Sequence, residues 1–470
     1  MSILNKQNIF STIPIIFLVP FLFNFLRNLT NNEVVLINYF ISNKVSFLLL
    51  IVNSIFYFYL TKQISNIFKL ESLSLSLFYF LSSYFFFDFL LVLILNKIKF
   101  QISISIVSII WCSLLWWKSK SFKLIFYLVT SYLGILITNN FFFNKARNLA
   151  GYIELNTDVP LQWFQIAEML QTNNFYYAFK NNLIDGHGLF LSYTQALIFK
   201  INFFTRDFEF IRLNSNLFLI FTLFLFYDLN ISKKNKLITS SLFFLILLNS
   251  DWLTYLFFDS LMLEGLVSLF FGIFLVNLNK YLDTHINLRS LIFFSLFSCL
   301  MFSKEFISTL TFLVFLYLLL VKKNLNALIT IPIYFLNKIY QKLLTPDAKN
   351  FEYLEGFNLI DFVLDILLLR DLELINIYKI INQFLIDKPV ALLFVFFFAL
   401  NFYSLYKKDK NFTSSIPFWL VVFNIFMVFV LYVAWWKDFG IQSSYRYILN
   451  TLHLVFISIG YNIELFQKSK

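Results

Sequence analysis

The chain has 470 residues, of which 59% are hydrophobic and only 13% are charged. A soluble domain carries about 25% charged residues, so this composition excludes a large water-exposed surface and makes lipid the solvent for most of the chain. The net charge of +11 is typical of basic cytoplasmic loops in a membrane protein, and no nucleic-acid partner is expected. The two cysteines, Cys112 and Cys299, lie in apolar runs and exclude a disulfide framework.

Apolar runs of the length that crosses a bilayer, about 20 residues, recur along the chain. The first run lacks a small-residue cleavage site, so we expect it to remain as a span. We predict an all-α fold, a polytopic transmembrane helix bundle of about fourteen spans. The predicted spans start near Thr12, Val45, Ser74, Gln101, Leu124, Asn216, Leu237, Leu261, Arg289, Phe306, Asn326, Pro389, Ser415 and Tyr447.

The positive-inside rule orients these spans. With the N-terminus inside, the basic turns are cytoplasmic and most carboxylates lie outside, so both termini of this multi-pass plasma (inner) membrane protein are expected in the cytoplasm. The residues that set this orientation are Lys62, Lys69, Lys118, Lys120, Lys123, Lys233, Lys234, Lys236, Lys280, Arg289, Lys322, Lys323, Lys407, Lys408, Lys410, Lys468 and Lys470.

Two long outer segments divide the predicted bundle. Residues 139–214 form an outer loop in which 161–170 and 189–204 have the spacing of interfacial helices. Residues 345–388 form a second outer segment, amphipathic over 357–385. The predicted organisation is therefore a four-span N-terminal extension (1–121), a core with the long outer loop (122–344), the outer amphipathic segment (345–388) and a three-span C-terminal segment (389–470).

Charged residues from distant parts of the chain are predicted at the outer face. Charges near a bilayer are costly and usually face the bundle interior or a water-filled cavity, so this face is the expected site. The residues are Glu154, Asp158, Asp185, His187, Arg212, Asp251, Asp259, Glu264, Lys304, Glu305, Lys437, Asp438 and Arg446.

Taken in order, these segments resemble the GT-C superfamily of polyprenyl-phosphate-sugar-dependent glycosyltransferases. The likeness is nearest to the bacterial aminoarabinose transferases, which are related to protein O-mannosyltransferases, and it covers roughly residues 123–461. Both prolines of the family's Pro-Pro element are absent here, and four spans precede the usual start. The matching motifs are the acidic stretch 152–163, Ile-Ala-Glu-Met-Leu at 166–170, His187-Gly188-Leu189, Arg212-Leu213, Asp259, residues 300–304, and Trp435, Trp436, Gly440, Arg446 and Tyr447.

The resemblance implies sugar transfer from a polyprenyl-phosphate carrier to a lipid, glycan or protein acceptor on the non-cytoplasmic side. Such a transfer needs a base for the acceptor hydroxyl. Asp158 is the candidate base and Glu154 the next choice, although Asp158 in Thr-Asp-Val-Pro also suits a helix N-cap. Asp259 either orients the acceptor or holds a divalent metal ion, the one cofactor considered; a solvated helix end is its alternative interpretation.

The departing carrier phosphate needs cations. Lys304 and Arg446 are the first candidates, with Arg212 and His187 behind them, and the resemblance adds Tyr447 to the binding residues. Arginine offers a planar fork that matches phosphate oxygens. Lysine and arginine at helix ends also extend to lipid headgroups without any ligand.

Two other functions fit a chain with many spans. An O-antigen polymerase or ligase usually carries its large loop late in the chain, whereas the loop with the acidic motif is early here. A lipid or solute transporter would be favoured by charges deep within the spans. Asp88, inside a Phe-rich span, is the one such charge noted, and the sequence suggests no partner for it.

Overall fold

The protein is described here from a computed structural model, which covers residues 57–94, 99–119, 190–201, 211–250, 253, 264–282, 284–303, 305–344, 373–406, 412–435 and 444–468. Over these residues every regular element is helical, with no strand, and 57–68 are helical as well. The all-α prediction is therefore confirmed for the described part of the chain.

The helices are α1 (Leu73–Ile94), α2 (Phe100–Ser119), α3 (Phe190–Ile201), α4 (Ile211–Asp228), α5 (Lys233–Asn249), α6 (Glu264–Leu278), α7 (Leu288–Phe297), α8 (Glu305–Leu320), α9 (Thr330–Leu344), α10 (Ile375–Ile386), α11 (Lys388–Tyr406), α12 (Phe412–Val430), α13 (Ser444–Ile448) and α14 (Leu452–Lys468). Short 3₁₀ turns cover Asn279–Tyr281, Ser298–Phe302, Leu325–Ile329 and Leu449–Thr451, and a π-helical turn covers Leu431–Trp435.

Four helical stretches within the described ranges are long and apolar enough to cross a membrane, so a membrane bundle is supported and a count of fourteen spans is not. The predicted starts at Ser74, Gln101 and Pro389 each lie one residue inside an observed helix. Several other predicted spans correspond to apolar helices too short to qualify. The four stretches are Leu73–Leu91, Lys388–Tyr406, Ile416–Ala434 and Ser444–Lys468.

Helix α14 lies at the centre of the bundle and packs against α5, α6, α11 and α12. Its side chains from Leu452 to Ile459 are almost fully buried. His453 hydrogen-bonds to Ser268 through Nδ1 (2.8 Å) and to Thr222 through Nε2 (3.0 Å), which ties α14 to α6 and α4. Such interhelical hydrogen bonds hold membrane helices together where hydrophobic burial cannot, at about 0.6 kcal/mol each on average.

A close approach of α4 and α6 depends on Gly272. A Cβ atom at this position would lie 2.7 Å from Leu225 Cδ2 and 3.3 Å from His453 Cβ. Small residues at helix interfaces allow this kind of close contact between membrane helices. The glycine therefore brings α4 and α6 close enough for both to reach His453.

Several of the predicted cytoplasmic turns meet at one end of the bundle. The side chain of Asp228, which ends α4, accepts hydrogen bonds from Ser72 and from the Leu73 and Ser74 backbone N–H groups, and so caps the N-terminus of α1. The Ser74 hydroxyl donates to the same carboxylate at 2.6 Å. A carboxylate at this place also complements the positive end of the helix dipole.

Further contacts extend this cluster of turns. Lys280 lies 2.9 Å from Glu71 and holds the pKa of that carboxyl below its usual value. Glu464 accepts from the Ser232 N–H at 2.9 Å, and Asn324 donates to the Tyr281 carbonyl at 2.9 Å. We call the end formed by the turns at 69–73, 228–236, 279–289 and 321–326 the basic end. Its assignment to the cytoplasm stays a prediction.

Candidate functional site

The structure describes two of the predicted site side chains, those of Arg446 and Tyr447. Arg212 lies in the first turn of α4, where only the backbone is described. The remaining predictions fall outside the described residues, and their roles stay predictions. They are Asp158, Glu154, Asp259, Lys304 and His187.

A buried carboxylate joins three helix ends at the end of the bundle opposite the basic end. Asp387 is 6% exposed, and its Oδ2 accepts hydrogen bonds from the hydroxyl of Ser250 and from that of Tyr445, the latter at 3.0 Å. Its Oδ1 accepts from the Val390 backbone N–H at 3.3 Å, which is N-cap geometry for α11. We call Ser250, Asp387 and Tyr445 the Asp387 cluster.

The position of this cluster follows from helix direction. Helix α5 starts at the basic end and stops at Asn249, directly before Ser250, while α14 finishes at the basic end and is preceded by Tyr445. The cluster therefore gathers helix ends at the face that the sequence predicts to be outside. Hydrogen bonds to a charged group are worth about 1.5–3 kcal/mol, so a buried aspartate with several donors is a strong local tie.

Arg446 follows directly on the cluster. It is 7% exposed and lies close enough to Tyr432 for the two side chains to interact electrostatically. The Tyr432 and Tyr447 rings are 6.5 Å apart, so the predicted residues Arg446 and Tyr447 share one neighbourhood. The Ser444 hydroxyl is fully buried and makes no hydrogen bond within the described part of the chain. Because buried polar groups normally have a partner, this hydroxyl is a candidate donor to a polar ligand.

A π-helical turn shapes the same region. In this turn, at Leu431–Trp435, the helix is wound more widely, with an i→i+5 hydrogen-bond pattern in place of i→i+4. The Glu373 backbone N–H donates to the Val433 carbonyl at 3.0 Å, and Asn376 Nδ2 donates to the Tyr432 carbonyl at 3.1 Å. The start of α10 is thereby attached to the end of α12, next to Arg446.

Helix α10 lies in the predicted outer segment 345–388. It buries Asn376 and Ile380 against the bundle and exposes an apolar stripe. Over 373–385, the described part of the predicted amphipathic stretch 357–385, the chain thus has a buried face and an exposed apolar stripe. Its place on the outer membrane surface stays a prediction, and 357–372 lie outside the described ranges. The exposed stripe consists of Leu374, Tyr378, Ile381 and Leu385.

An amide on α12 holds the backbone that follows Arg446. Asn424 Nδ2 donates to the carbonyl of Tyr447 at 3.0 Å and to that of Ile448 at 3.2 Å. These residues lie where the helix is interrupted by the turn Leu449–Thr451. Backbone groups freed by a break inside a membrane bundle must be satisfied by protein, and Asn424 meets that need beside Tyr447.

The prediction of an interfacial helix over 189–204 is wrong for the described residues. Helix α3 lies inside the bundle, and the seven of its side chains that the structure describes are almost completely buried. The Phe190 ring contacts Phe85 (5.1 Å between centroids) and Phe270 (5.8 Å), so the helix begins beside the middle of α1. The buried side chains are those of Phe190, Leu191, Ser192, Tyr193, Thr194, Ala196 and Leu197.

Asp88, for which the sequence suggested no partner, has one. The Tyr193 hydroxyl on α3 donates to Asp88 Oδ2, and both side chains are buried. Tyr193 also packs edge-on against Phe85 and Phe100. The predicted N-terminal extension and the predicted outer loop thus meet through a hydrogen bond inside the bundle.

The surroundings of position 304 also carry unmatched polar groups. The Ser303 and Ser308 hydroxyls are buried and make no hydrogen bond among the described residues.

A metal site was also considered for the chain. Within the described ranges, no group of three or more His, Cys, Asp and Glu side chains is placed to hold a metal ion. Asp259, the residue considered for a metal, lies outside those ranges.

Sequence reasoning missed the carboxylate at the centre of the site. Asp387 precedes Lys388-Pro389, a sequence typical of a helix start, where an aspartate is an ordinary capping residue, and nothing local distinguishes it from one. Its partners Ser250 and Tyr445 are distant in sequence, so no local spacing could have indicated the cluster.

Comparison of the chain with protein-family models, curated proteins and solved structures found no match.

Proposed function

We propose that this chain is a plasma-membrane glycosyltransferase, with both termini cytoplasmic, that moves a sugar from a polyprenyl-phosphate carrier to an acceptor on the opposite side. The acceptor is a lipid, glycan or protein. One observation carries the proposal: Arg446 is buried beside the Asp387 cluster, at the end of the bundle opposite the basic end. A buried arginine there suits the phosphate of a lipid that never leaves the bilayer.

The depth of the site supports this choice of donor. An isoprenoid tail keeps the carrier in the membrane, so its phosphate lies near the headgroups, where helix ends also lie. Arg446 is in the first turn of α13, at such an end. Its guanidinium can donate two parallel hydrogen bonds to phosphate oxygens, and the buried Ser444 hydroxyl next to it can donate another.

The proposed reaction is a single inverting displacement. The acceptor oxygen attacks the anomeric carbon of the sugar, and Asp158 takes the hydroxyl proton. The bond between that carbon and the phosphate oxygen breaks, so the polyprenyl phosphate leaves with the bonding electrons. Arg446 and Lys304, supported by Arg212 and His187, stabilise the departing phosphate.

A transporter is the second candidate, and a specific observation favours it. Asp88 and Tyr193 form a hydrogen bond deep among helices, and ionisable groups in that setting are frequent in ion and proton pathways. The carboxylate partners a phenol rather than a cation among the described residues. The pair can therefore also have a purely structural role, in which it connects α1 to α3. A glycosyltransferase remains the proposed function.

To test the proposed function, the purified full-length protein is reconstituted in liposomes. A panel of undecaprenyl-phosphate sugars and the matching nucleotide sugars is supplied with lipid and glycan acceptors, and release of undecaprenyl phosphate is measured. We expect release from one lipid-linked donor, none from nucleotide donors, and none with Asp158→Asn. Transfer from a nucleotide sugar would overturn the proposal. Movement of a carrier lipid across the bilayer without sugar transfer would favour the transporter.

A further inference from the structure

We infer that Asp387 is a positioning residue that sets the orientation of Arg446 through Tyr445. This inference rests on the proposed function, because it assigns Arg446 to the carrier phosphate. Asp387 itself does not contact the donor in this scheme. It acts by fixing the first turn of α13, the short helix that presents Ser444 and Arg446 on either side of Tyr445.

Because of the geometry of a helical turn, the position of Tyr445 determines the directions of the neighbouring side chains. Successive side chains in an α-helix point about 100° apart, because 3.6 residues complete one turn. Fixing Tyr445 therefore fixes the directions of its two neighbours, Ser444 and Arg446. The helix has only five residues, so few of its own hydrogen bonds hold it in place.

Asp387 is itself held rigidly, which a positioning residue requires. One carboxylate oxygen caps α11 through the Val390 N–H, and the other accepts from Ser250 at the end of α5. Tyr445 completes the set with a 3.0 Å hydrogen bond to that second oxygen. The start of α13 is thus held against α5 and α11, two helices that also pack against each other.

The Tyr445 ring would remain in place after loss of its hydroxyl. It lies 5.8 Å from the Phe384 ring of α10, and the residue is 4% exposed. Tyr445→Phe therefore removes the hydrogen bond and keeps the packing. Tyr84→Phe is a matched control, because Tyr84 is also buried and also loses one hydroxyl hydrogen bond, to Ser108 at 2.9 Å, in another part of the bundle.

The test measures binding to the full-length protein in nanodiscs by native mass spectrometry. Two probes are compared: undecaprenyl phosphate, and undecaprenol, which has the same tail and no phosphate. The ratio of the two affinities isolates the contribution of the phosphate. We expect Tyr445→Phe to lower this ratio about threefold to tenfold, a part of the roughly 10- to 150-fold that the charge-assisted contact between Arg446 and the phosphate contributes, and Tyr84→Phe to leave it unchanged.

A double-mutant cycle then tests whether Tyr445 affects phosphate binding through Arg446. In an Arg446→Met background, Tyr445→Phe should have no further effect on the ratio, since residues that act through one another are not additive. Asp387→Asn keeps one acceptor oxygen, which can accept from the Val390 N–H or from Tyr445 but not from both, whereas Asp387→Ala keeps none. The asparagine should therefore lower the ratio less than the alanine.

Three outcomes count against these ideas, and they are distinguishable. An effect of Tyr445→Phe that persists without Arg446 would refute positioning through that residue. If Tyr445→Phe weakened the binding of undecaprenol and of undecaprenyl phosphate equally, Tyr445 would have only a packing role. If Arg446→Met leaves the ratio at the value of the natural chain, the carrier site of the proposed function fails as well.

Discussion

The hydroxyl of Tyr193 donates a hydrogen bond to the carboxylate of Asp88 across 105 residues of sequence. Asp88 belongs to α1 and Tyr193 to α3, which starts beside the middle of α1 rather than at the membrane surface. Helix α1 of the predicted N-terminal extension therefore holds α3, which is the described helix of the predicted outer loop. This gives α1 a definite role in the fold.

We predict that Asp88→Ala destabilises the protein by about 1–3 kcal/mol, because it leaves the buried Tyr193 hydroxyl without its acceptor. Asp88→Asn, which keeps an acceptor, should cost less. The double variant Asp88→Ala with Tyr193→Phe should be less destabilised than the two single changes summed. Thermal unfolding in detergent measures these differences. Additive effects would show that the two side chains stabilise the protein independently.

Replacing Arg446 by Met should weaken undecaprenyl phosphate binding by roughly 10- to 150-fold. This is the factor that corresponds to a charge-assisted hydrogen bond of about 1.5–3 kcal/mol. Lys468→Met is the control, since that lysine is at the basic end with a side chain 71% exposed and pairs with Glu464. Equal binding by the two variants would remove Arg446 from the site.

Asp158→Asn should abolish sugar transfer while expression and folding are kept. The amide preserves shape and the ability to cap a helix, but it cannot accept a proton at neutral pH. Loss of a general base typically costs about 10²–10⁴-fold in rate. Activity within a few-fold of the natural chain would return Asp158 to a capping role, and Glu154 would then be substituted in the same assay.

The orientation of the bundle is open to direct labelling. Cys112 is exposed, so it is first replaced by serine, and Cys299 is buried. Single cysteines at positions 173 and 234 are then treated with an impermeant reagent in intact cells. We expect reaction at 173 and none at 234, because 234 lies in a basic turn that should be cytoplasmic. The reverse pattern would invert the topology and place the Asp387 cluster inside.

How far the sequence predicts the fold depends on the element. The starts of α1, α2 and α11 were predictable because a charged residue or a turn precedes a long run that is mostly apolar and carries no charge over its first turns, apart from Lys388 at the start of α11. The placement of α3 was not. Its Tyr193 and Thr194 give it a polar face that suggests an interfacial helix, yet both hydroxyls find acceptors inside the protein, at Asp88 and at the Phe190 carbonyl.

The site shows the same division. Arg446 and Tyr447 could be named as candidates because they stand next to each other in a motif, and their role in a binding site stays a prediction; the structure adds that the Tyr447 ring lies 6.5 Å from that of Tyr432. Asp387 could not, because its role comes from Ser250 and Tyr445, which only the folded chain brings to it. Hydrophobic periodicity predicts spans and their ends, but it carries no information on which ends meet.

The buried position of α3 also imposes an order on synthesis. Its partners Phe270 and the turn Ser298–Phe302 come later in the chain than α3 itself. At about 5–20 residues per second, the ribosome makes Phe270 roughly 3–14 s after the end of α3, and the turn roughly 5–20 s after it. During that interval the apolar surface of α3 must be covered by lipid or by the insertion machinery. Completion of the bundle, rather than insertion of the first spans, therefore decides when this protein reaches its native form.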